Sequence, residues 1–296
     1  MGARLRFLRR RIRGVQSTKK ITSAMELIAA SQIRRAQQRV EQARAYADQI
    51  TQAVQDVTSN ADTLEHPLLE RREERNAAAV LVVSSDRGLA GAYNANVLRT
   101  TEELVQTLRH EGKEAKLYVT GRKAQSYFRF RRRPVEEAWT GFSERPSYDD
   151  AKVIADRMIE AFVDREVDEI HGVFTHFVSG LTQRAVAHRF VPLVVEEVEE
   201  EAPSEPQPLY IFEPSAEEIL ERLLPRYVET RVFAALLEAA ASEHAARRRA
   251  MSAATENAED LIKTLTREAN QARQTEITTE IMEIVGAAEA LEKVGS

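Results

Sequence analysis

The sequence contains no cysteine and few aromatic side chains. Among its 296 residues, aromatics make up 6% and charged residues 30%. The lack of thiols excludes disulfides, thiolate metal sites and cysteine nucleophiles. A composition rich in charge and poor in aromatics favours long, solvated helices over one compact globule.

Long apolar runs are also missing. The longest clear run is the seven residues 77–83 (AAAVLVV), whereas about 18 apolar residues are needed to span a bilayer. We therefore expect no insertion into a membrane, and any association with one to be peripheral and to run through another protein.

Proline is absent from both ends of the chain. All nine prolines lie between Pro67 and Pro225, Gly14 is the only glycine between Leu5 and His66, and residues 226–285 contain neither Gly nor Pro. Because proline and glycine are the strongest helix breakers, the two ends can form very long helices. Spans of roughly 55 and 60 residues would be ~80 and ~90 Å long, far beyond an ordinary domain. We expect these helices over residues 1–66 and 214–296.

Both ends carry the heptad repeat of a coiled coil. Apolar residues alternate in steps of four and three at Ala36, Val40, Ala43, Ala47, Ile50, Val54 and Val57. Ile21, Met25 and Ile28 are predicted to extend this stripe, separated from it by an eleven-residue spacing. Towards the C-terminus the same steps relate Val228, Val232, Ala235 and Ala239, and again Ile277, Ile281, Ile284, Ala288 and Leu291. Each stripe alone would face water, so we expect the two terminal helices to pack together, antiparallel.

The middle of the chain has a different pattern. Strand-like runs occur at 77–84, 116–120, 170–178, 184–195 and 209–212, and helical patterns at 92–111, 122–131 and 149–165. This alternation predicts a small α/β domain over residues 67–213, followed by an exposed acidic stretch at 196–201 and a proline cluster. Ser215, with Glu218 three residues later, has the spacing of a helix cap. Pro225 is predicted to kink or restart that helix.

The stretch SSDRGLAGAYNANV (84–97) follows a strand and contains two glycines, as a nucleotide-binding loop does. A P-loop requires GxxxxGK[ST], but Ala92, Tyr93 and Asn94 follow Gly91. A dinucleotide-binding loop requires three glycines, and this loop has two, as GLAG. We interpret it as a structural strand–turn–helix junction.

No other catalytic or metal-binding pattern stands out. None of the six histidines forms HExxH or a comparable ligand spacing, and no GxSxG occurs. His171 and His176 fall in one predicted strand five residues apart and should point to opposite faces. We therefore expect a protein that is not an enzyme by itself and binds neither cofactor nor metal.

Charge is unevenly distributed along the chain. The net charge is −5, yet residues 1–45 contain twelve Arg or Lys and only two acidic residues, Glu26 and Glu41. This asymmetry indicates an acidic partner, protein or nucleic acid, for the basic end; a solvated helix face is the simpler interpretation. A coiled-coil scaffold or nucleic-acid binder is an alternative, although Phe7 and Tyr46 are the only aromatics in residues 1–60 that could stack on bases. A nucleotide-dependent enzyme is a third alternative.

Three blocks of sequence resemble one known family. They are IRGVQSTKKITSAMELIAASQIRRAQ (12–37), VVSSDRGLAGAYNANV (82–97) and the C-terminal ARRRAMSAATENAEDLI…ANQARQTEITTEIMEIVGAAEAL (246–291). In order and spacing they are similar to the gamma subunit of F-type ATP synthase of the bacterial type. The resemblance covers essentially the whole chain.

The resemblance implies a fold and a mechanical role. The fold is a long antiparallel two-helix coiled coil from both termini with a small inserted Rossmann-like α/β domain. The coiled coil would enter a ring of three alpha and three beta subunits, with the α/β domain near the epsilon subunit and the membrane c-ring. Proton flow would rotate the c-ring and this subunit, driving conformational cycling of the beta-subunit catalytic sites. The protein would lie peripherally on the cytoplasmic side of the cell membrane, and would bind no nucleic acid.

The resemblance also assigns contacts to individual residues. Arg273 and Gln274 match residues that hydrogen-bond a catch loop on a beta subunit, and Thr278 and Glu280 match neighbouring positions. Lys19, Lys20 and Met25 match a segment that meets the acidic lever of a beta subunit. Exposed helix surface is the alternative for the first group, and seam packing the alternative for Met25.

Overall fold

A computed structural model describes residues 3–59, 66–69, 72, 75–192 and 215–294, with side chains as far as residue 288. The chain divides into two compact units. One consists of Met1–Ile28 together with Arg248–Ser296, and the other of Ala29–Arg247.

Five helices and five strands make up the described part of the chain. In chain order they are α1 (Ala3–Ser59), β1 (Ala77–Val83), α2 (Tyr93–His110), β2 (Glu114–Thr120), α3 (Arg122–Phe130), β3 (Glu137–Trp139), α4 (Tyr148–Val163), β4 (Glu169–Phe177), β5 (Gln183–Val191) and α5 (Ala216–Val294). Two very long helices and an intervening α/β segment are thus confirmed.

Four of the predicted strands are confirmed, with small shifts at their ends, and β3 was not predicted. The predicted strand 209–212, the acidic stretch 196–201 and the proline cluster lie outside the described residues. The division at residues 66/67 and 213/214 stays a prediction.

Helix α5 begins at the predicted cap. The backbone N–H of Glu218 donates a hydrogen bond to Ser215 Oγ (3.2 Å), which satisfies one of the free donors of the first turn. The helix then continues through Pro225 to Val294. Of the two expectations for Pro225, a restart of the helix was therefore wrong, and a kink stays a prediction.

The strands form one sheet in the order β3-β2-β1-β4-β5. The pairs β1–β2, β2–β3 and β1–β4 are parallel, with Val80 opposite Leu117 on one side and His171 on the other. The β4–β5 pair is antiparallel. The reversal of strand order beside β1 is the arrangement of a Rossmann-like half.

Helices cover both faces of this sheet. Alternate residues of β1 point to opposite sides, as the pleat requires. Ala78, Val80 and Val82 pack with α2 and α3, through side chains such as Val97 and Phe128. Ala79, Leu81 and Val83 instead belong to the core formed with α4, α1 and α5. Because both faces are covered, the strand is apolar along its whole length.

Within the unit Ala29–Arg247, α1 packs antiparallel on α5. Buried side chains from both helices cluster here: Ile33, Ala36, Val40, Leu237, Ala241 and Ala245. Further along α1, Ile50, Val54 and Val57 share a core with Leu224 and Val228. Residues later in α1 thus contact residues earlier in α5, so the two helices run antiparallel. The heptad seam predicted from Ala36 to Val57 is buried or half-buried throughout and is confirmed.

The two histidines of β4 contact different elements. His171 Nε2 lies 3.0 Å from Glu169 Oε2, whereas His176 Nδ1 contacts Glu238 on α5. His176 thus lies on the face towards α5, which agrees with the predicted orientation of the two histidines to opposite faces.

A buried ion cluster holds the first residue of β4. Glu169 is 1% exposed and accepts hydrogen bonds from Arg75 Nη1 (3.0 Å) and Lys113 Nζ (3.0 Å), beside His171. Burial alone would raise the pKa of Glu169, but the bonds from His171, Lys113 and Arg75 outweigh it and lower the pKa from 4.5 to about 2. The carboxylate therefore links the segment before β1 and the turn before β2 to β4.

The turn between β2 and α3 requires glycine. Gly121 has φ 88°, and a Cβ built there would lie 2.3 Å from Ser84 O, the backbone that leaves β1. Its N–H donates to Trp139 O (2.8 Å), which joins the ends of β2 and β3. No rearrangement of a flexible side chain can relieve this contact.

We predict that Gly121→Ala lowers the free energy of unfolding by about 3 kcal/mol or more, since backbone strain and overpacking add at this position. Urea unfolding followed by circular dichroism measures the change. Gly180→Ala is the matched control, because a Cβ added at that glycine would meet nothing within 4 Å. Equal stability of the two variants would contradict this account of the turn.

We predict a pH-dependent effect of Glu169→Gln. A depressed folded-state pKa stabilises the protein above the unfolded pKa, and this contribution is lost as pH falls towards about 2. The variant should thus be less stable by about 3 kcal/mol at neutral pH, with the difference shrinking below pH ~4.5. Urea unfolding across this pH range tests it, with the exposed Glu103→Gln as control. A deficit of constant size at all pH values would refute the electrostatic explanation.

Candidate functional site

The beginning of α1 packs on the end of α5 within the unit that contains both termini. Leu5 and Leu8 of α1 are buried against Leu265 and Ala269 of α5. Ile12, Val15 and Ala272 pack around them. The helices are antiparallel, because α1 residues further from the N-terminus meet earlier residues of α5. On the α5 side the seam includes two small side chains, those of Ala269 and Ala272.

Polar side chains continue this seam towards the middle of each helix. Thr22 Oγ1 and Thr255 Oγ1 share a hydrogen bond of 2.8 Å, and Thr22 is buried. Three residues earlier, Lys19 Nζ lies 2.6 Å from Glu259 Oε1. The hydrogen bond and charge of Lys19 lower the pKa of Glu259. These two contacts set the register of the helices, since a one-turn slip would break both.

Apolar periodicity predicted the wrong face for this part of α1. Ile21 and Ile28, predicted as seam residues, are exposed, at 58% and 62%. The buried line instead passes through Thr22 and Ala29. The buried positions of α1 thus follow the heptad spacing continuously from Leu8 to Val40. The predicted eleven-residue gap between Met25 and Ala36 does not occur in this line. A periodicity based on apolar residues alone misses a seam position occupied by threonine.

The three lever-contact candidates on α1 differ in their surroundings. Lys19 is half-buried and held by Glu259, whereas Lys20 is exposed and forms no ion pair within the described residues. Met25 is half-buried, so it lies beside the seam without being enclosed by it. The structure therefore separates Lys19, which binds within the chain, from Lys20, which is free to bind elsewhere.

The four catch-loop candidates all lie on the exposed surface of α5. Arg273, Gln274, Thr278 and Glu280 are exposed, and Thr278 Oγ1 donates to its own helix at Gln274 O (3.0 Å). Seven residues separate Arg273 from Glu280, which places them on one side of the helix. The structure brings the four together on one stretch of helix that α1 does not cover.

The seam predicted from Ile277 to Leu291 does not pack on α1 as far as Ala288, and the side chain of Leu291 lies outside the described residues. Ile277, Ile281 and Ile284 are 47%, 55% and 70% exposed, and Ala288 is exposed as well. Arg4 and Leu5, at the start of α1, already lie beside Ala272 and Glu276. Residues from 277 onward thus extend past the described beginning of α1, and the prediction of an α1 partner for this stripe was wrong. We call Ile277, Ile281 and Ile284 the isoleucine stripe.

The isoleucine stripe lies on a different face of α5 from the seam. Continuing the heptad of Leu265, Ala269 and Ala272 leads to Glu276 and Thr279, which are polar. The face towards α1 therefore becomes polar where α1 begins, and a new apolar face starts beside it. Arg273 and Glu280 border this face on one side and Gln274 and Thr278 on the other.

Polar groups of the glycine-containing loop 84–97 are used inside the protein. Asp86 Oδ2 accepts hydrogen bonds from the N–H groups of Gly141 (2.8 Å) and Ser143 (3.1 Å). Asn94 Oδ1 accepts from the N–H of Ser85 (3.0 Å). The loop therefore ties β1 to α2 and to the segment after β3, as the interpretation of a structural junction predicts.

Helix α5 covers the loop where a phosphate would approach. Nucleotides bind such sheets beyond the carboxyl ends of the strands, where the strand order reverses. Here Arg247 Nη2 donates to Gly88 O (3.3 Å), and Ala90 and Tyr93 pack against Ala246. The position that a phosphate would take beside this loop is therefore filled by side chains of α5.

A buried ion pair lies beneath this contact. Glu243 and Arg247 are 1% and 6% exposed, and Arg247 Nη2 donates to Glu243 Oε1 (2.6 Å). Burial raises the pKa of Glu243, an effect that Arg247 opposes. Removing Arg247 would leave the buried carboxylate of Glu243 without its ion-pair partner. Because both residues lie on α5, the bonds that hold α5 on the loop are those of Arg247 to Gly88 O and to Glu144 (3.2 Å). Nothing in the sequence distinguished Arg247 from Arg248 and Arg249 beside it.

Two other kinds of site are absent from the described residues. No group of His, Asp and Glu in the described part of the chain could hold a metal ion. Among the described helices, none is long and apolar enough to cross a membrane.

Comparisons with known proteins agree on one family. The profile of the family described as ATP synthase matches residues 4–291. An ATP synthase gamma chain from Parafrankia sp. is 59% identical over 98% of this chain and 99% of its own. Another, from Mycolicibacterium vanbaalenii, is 58% identical over the same shares.

Solved structures share the fold at low sequence identity. A chain in the Euglena gracilis mitochondrial ATP synthase (OSCP/F1/c-ring, rotational state 3) aligns with a TM-score of 0.68 and 17% identity, over 98% of this chain and 95% of that one. A chain of the rotor from the same organism aligns with a TM-score of 0.65 and 16% identity, over 94% and 100%. The predicted fold class is confirmed.

We predict that Leu265→Ala loosens the pairing of the helix ends. A buried leucine truncated to alanine costs about 2–5 kcal/mol, so amide exchange in α1 residues 3–22 should accelerate by about tenfold or more. Hydrogen exchange with mass spectrometry measures it. Leu261→Ala, one turn away and 38% exposed, should change the rate much less. Equal acceleration by the two variants would show that Leu265 is not a seam residue.

Proposed function

Because the chain belongs to the gamma-chain family of the ATP synthases, we propose that it is the central-stalk rotor of an F-type enzyme. It turns with the membrane c-ring inside a ring of three alpha and three beta subunits. Rotation driven by proton flow thereby becomes conformational cycling of the beta-subunit catalytic sites, which synthesise or hydrolyse ATP.

The antiparallel pairing of α1 with α5 is the observation that carries this proposal. A rotor must transmit torque along its length, and two helices with a buried seam resist twisting and sliding better than one. The leucine and alanine seam, the bond from Thr22 to Thr255 and the pair Lys19–Glu259 hold the register. A rotor must also present different surfaces to equivalent neighbours, since a surface that binds every state equally shifts no equilibrium.

We propose that this subunit is not catalytic. Its one candidate nucleotide loop is closed by Arg247 and Ala246 from α5. In this proposal the groups that bind ATP and magnesium belong to the partner subunits. The role of this chain is then to change the affinities of those sites through contact alone.

The uncovered end of α5 is proposed to be the contact with the ring. The isoleucine stripe is exposed in the single chain, which a partner surface would explain. We propose that Arg273 and Gln274 hydrogen-bond a catch loop on a beta subunit and that Thr278 and Glu280 assist them. Their exposure on one stretch of helix supports this assignment.

A second proposed contact involves Lys19, Lys20 and Met25, which would meet the acidic lever of a beta subunit. Lys20 is the residue best placed to bind a carboxylate, because it is exposed without an ion-pair partner in the described residues. Lys19 would share its charge between Glu259 and the lever. Met25 would supply an adaptable apolar surface beside them.

The remaining partners follow from the family assignment. We propose that the α/β portion meets the epsilon subunit and the c-ring, and that the protein is held peripherally at the cytoplasmic side of the cell membrane through these subunits. We propose that residues 1–66 and 214–296 meet the ring of alpha and beta subunits. Residues 67–213 would meet the epsilon subunit and the c-ring.

Co-purification tests the proposal as a whole. The tagged chain is expected to isolate a complex with ATP synthase alpha and beta subunits that hydrolyses ATP, whereas the chain alone has no turnover. Salt-sensitive binding to nucleic acid without such a complex would favour the scaffold alternative. ATP hydrolysis by the pure chain would overturn the non-catalytic assignment.

We predict that Arg273→Ala and Gln274→Leu each lower the ATPase activity of the assembled complex by about three- to tenfold. This is the effect expected when one or two hydrogen bonds to the catch loop are lost during rotation. Circular dichroism of the free chain should not change, because both side chains are exposed. The assay compares turnover of purified complexes.

Arg99→Ala is the control for this measurement, since it removes the same charge from an exposed position on α2. It should leave turnover unchanged. If Arg273→Ala and Gln274→Leu also leave turnover unchanged in intact complexes, the catch-loop assignment is wrong.

A further inference from the structure

A basic cavity in the unit Ala29–Arg247 includes no residue of the isoleucine stripe or of the glycine loop. It has a volume of about 540 Å³ and lies where α1, α5 and the segment before α4 meet. Its basic and amide side chains are Arg35, Arg39, Arg145, Gln32, Gln38 and Gln42. Its floor is apolar and buried, with Ala36, Leu237 and Ala240.

The three arginines of this cavity are not neutralised by the described part of the chain. No described acidic side chain forms an ion pair with Arg35, Arg39 or Arg145. Glu144 is the only acidic residue among the described lining residues, and it is already held by Arg247 Nη1 (3.2 Å) and Arg87 Nη1 (3.4 Å). The cavity therefore has an excess of positive charge.

A buried histidine at the cavity wall is affected by the same positive charge. His244 is 4% exposed, and its Nε2 lies 3.2 Å from Glu144 O. Burial lowers the pKa of His244, and the positive charges of Arg247 and Arg145 act in the same direction, against the Glu144 carbonyl and carboxylate. An anion in the cavity would oppose the arginines and make His244 easier to protonate.

The geometry points to a binding site for a chain of two or three phosphoryl groups, free or as part of a nucleotide. Arginine side chains bind phosphate through paired N–H groups. Three arginines with exposed side chains line this one cavity, and their charge matches that of such a chain. A volume of about 540 Å³ is in the range of small-molecule pockets.

This site is separate from the proposed rotor contacts. It uses none of the residues assigned to the beta subunits and lies in the other compact unit from the isoleucine stripe. A bound polyanion would link α1 to the segment before α4, because Arg35 and Arg39 lie on the helix and Arg145 lies in that segment. It would thus stabilise the packing of the helices without taking part in catalysis.

Isothermal titration of the full-length chain with tripolyphosphate tests the proposal. We expect binding to one site, weakened by salt and by about tenfold or more in the double variant Arg35→Gln/Arg39→Gln. Arg34→Gln is the matched control: it removes the same charge from the adjacent exposed position, which does not line the cavity, and should weaken binding less than about twofold. Circular dichroism checks that each variant is folded.

Two further arms identify the ligand and its location. Magnesium-free ATP should compete with tripolyphosphate at the same site: equal affinity assigns recognition to the phosphate chain, and higher ATP affinity adds a contact of the base with the apolar floor. NMR titration should show that tripolyphosphate raises the pKa of His244 in the wild type but not in the double variant.

Three results would overturn the proposal. One is the absence of tripolyphosphate binding to the wild-type chain. Another is equal weakening by Arg34→Gln and the double variant, which would indicate general attraction to a basic helix. The third is tighter binding of a hexaglutamate peptide than of tripolyphosphate, which would assign the cavity to an acidic protein segment.

Discussion

Antiparallel packing of α1 on α5 is the interaction on which the rest of the structure depends. In the unit of the two termini it buries Leu5 and Leu8 against Leu265 and Ala269, and in the other unit it buries Ile33 and Val40 against Leu237 and Ala241. Neither helix could keep its apolar face in water alone, because helices of this length gain most of their stability from packing. Alanines fill many positions of the seam, and the polar contacts of Thr22 and Lys19 fix the register.

The α/β segment is attached to α5 through the loop that follows β1, and that loop is not used to bind a nucleotide. Its sheet has the topology that binds nucleotides in other proteins, and its first loop has the glycines for a tight turn. In this chain Asp86 and Asn94 use their oxygens on neighbouring backbone N–H groups, and Arg247 closes the loop from α5. The same backbone geometry that could hold a phosphate thus fastens the sheet to the long helix, which is what transmission of torque needs.

Sequence patterns predicted the architecture well and the contacting faces less well. The buried strands and the seam from Ala36 to Val57 were predicted because apolar periodicity there coincides with burial. Three-residue β3 (EAW) was missed because so short a segment has no period. Thr22 was missed since a threonine can occupy a seam when another threonine meets it. The isoleucines at 277, 281 and 284 were assigned to the wrong partner because periodicity identifies an apolar face and says nothing of what covers it. Arg247 could not be distinguished from its neighbours, since its partners Gly88 and Glu144 are distant in sequence.

Disulfide formation between paired cysteines tests the helix pairing most directly, because this chain has no cysteine of its own and only the introduced pair can form a bond within it. The hydroxyls of Thr22 and Thr255 are 2.8 Å apart, so cysteines at both positions are within reach of a disulfide. In the assembled complex carrying Thr22→Cys and Thr255→Cys, the account predicts rapid formation of this bond under mild oxidation, with ATPase activity retained because the two helices turn as one body. Leu27→Cys with Thr255→Cys should not form it. Failure of the first pair to cross-link, or loss of turnover when it does, would contradict a rotor built from two helices held in this register.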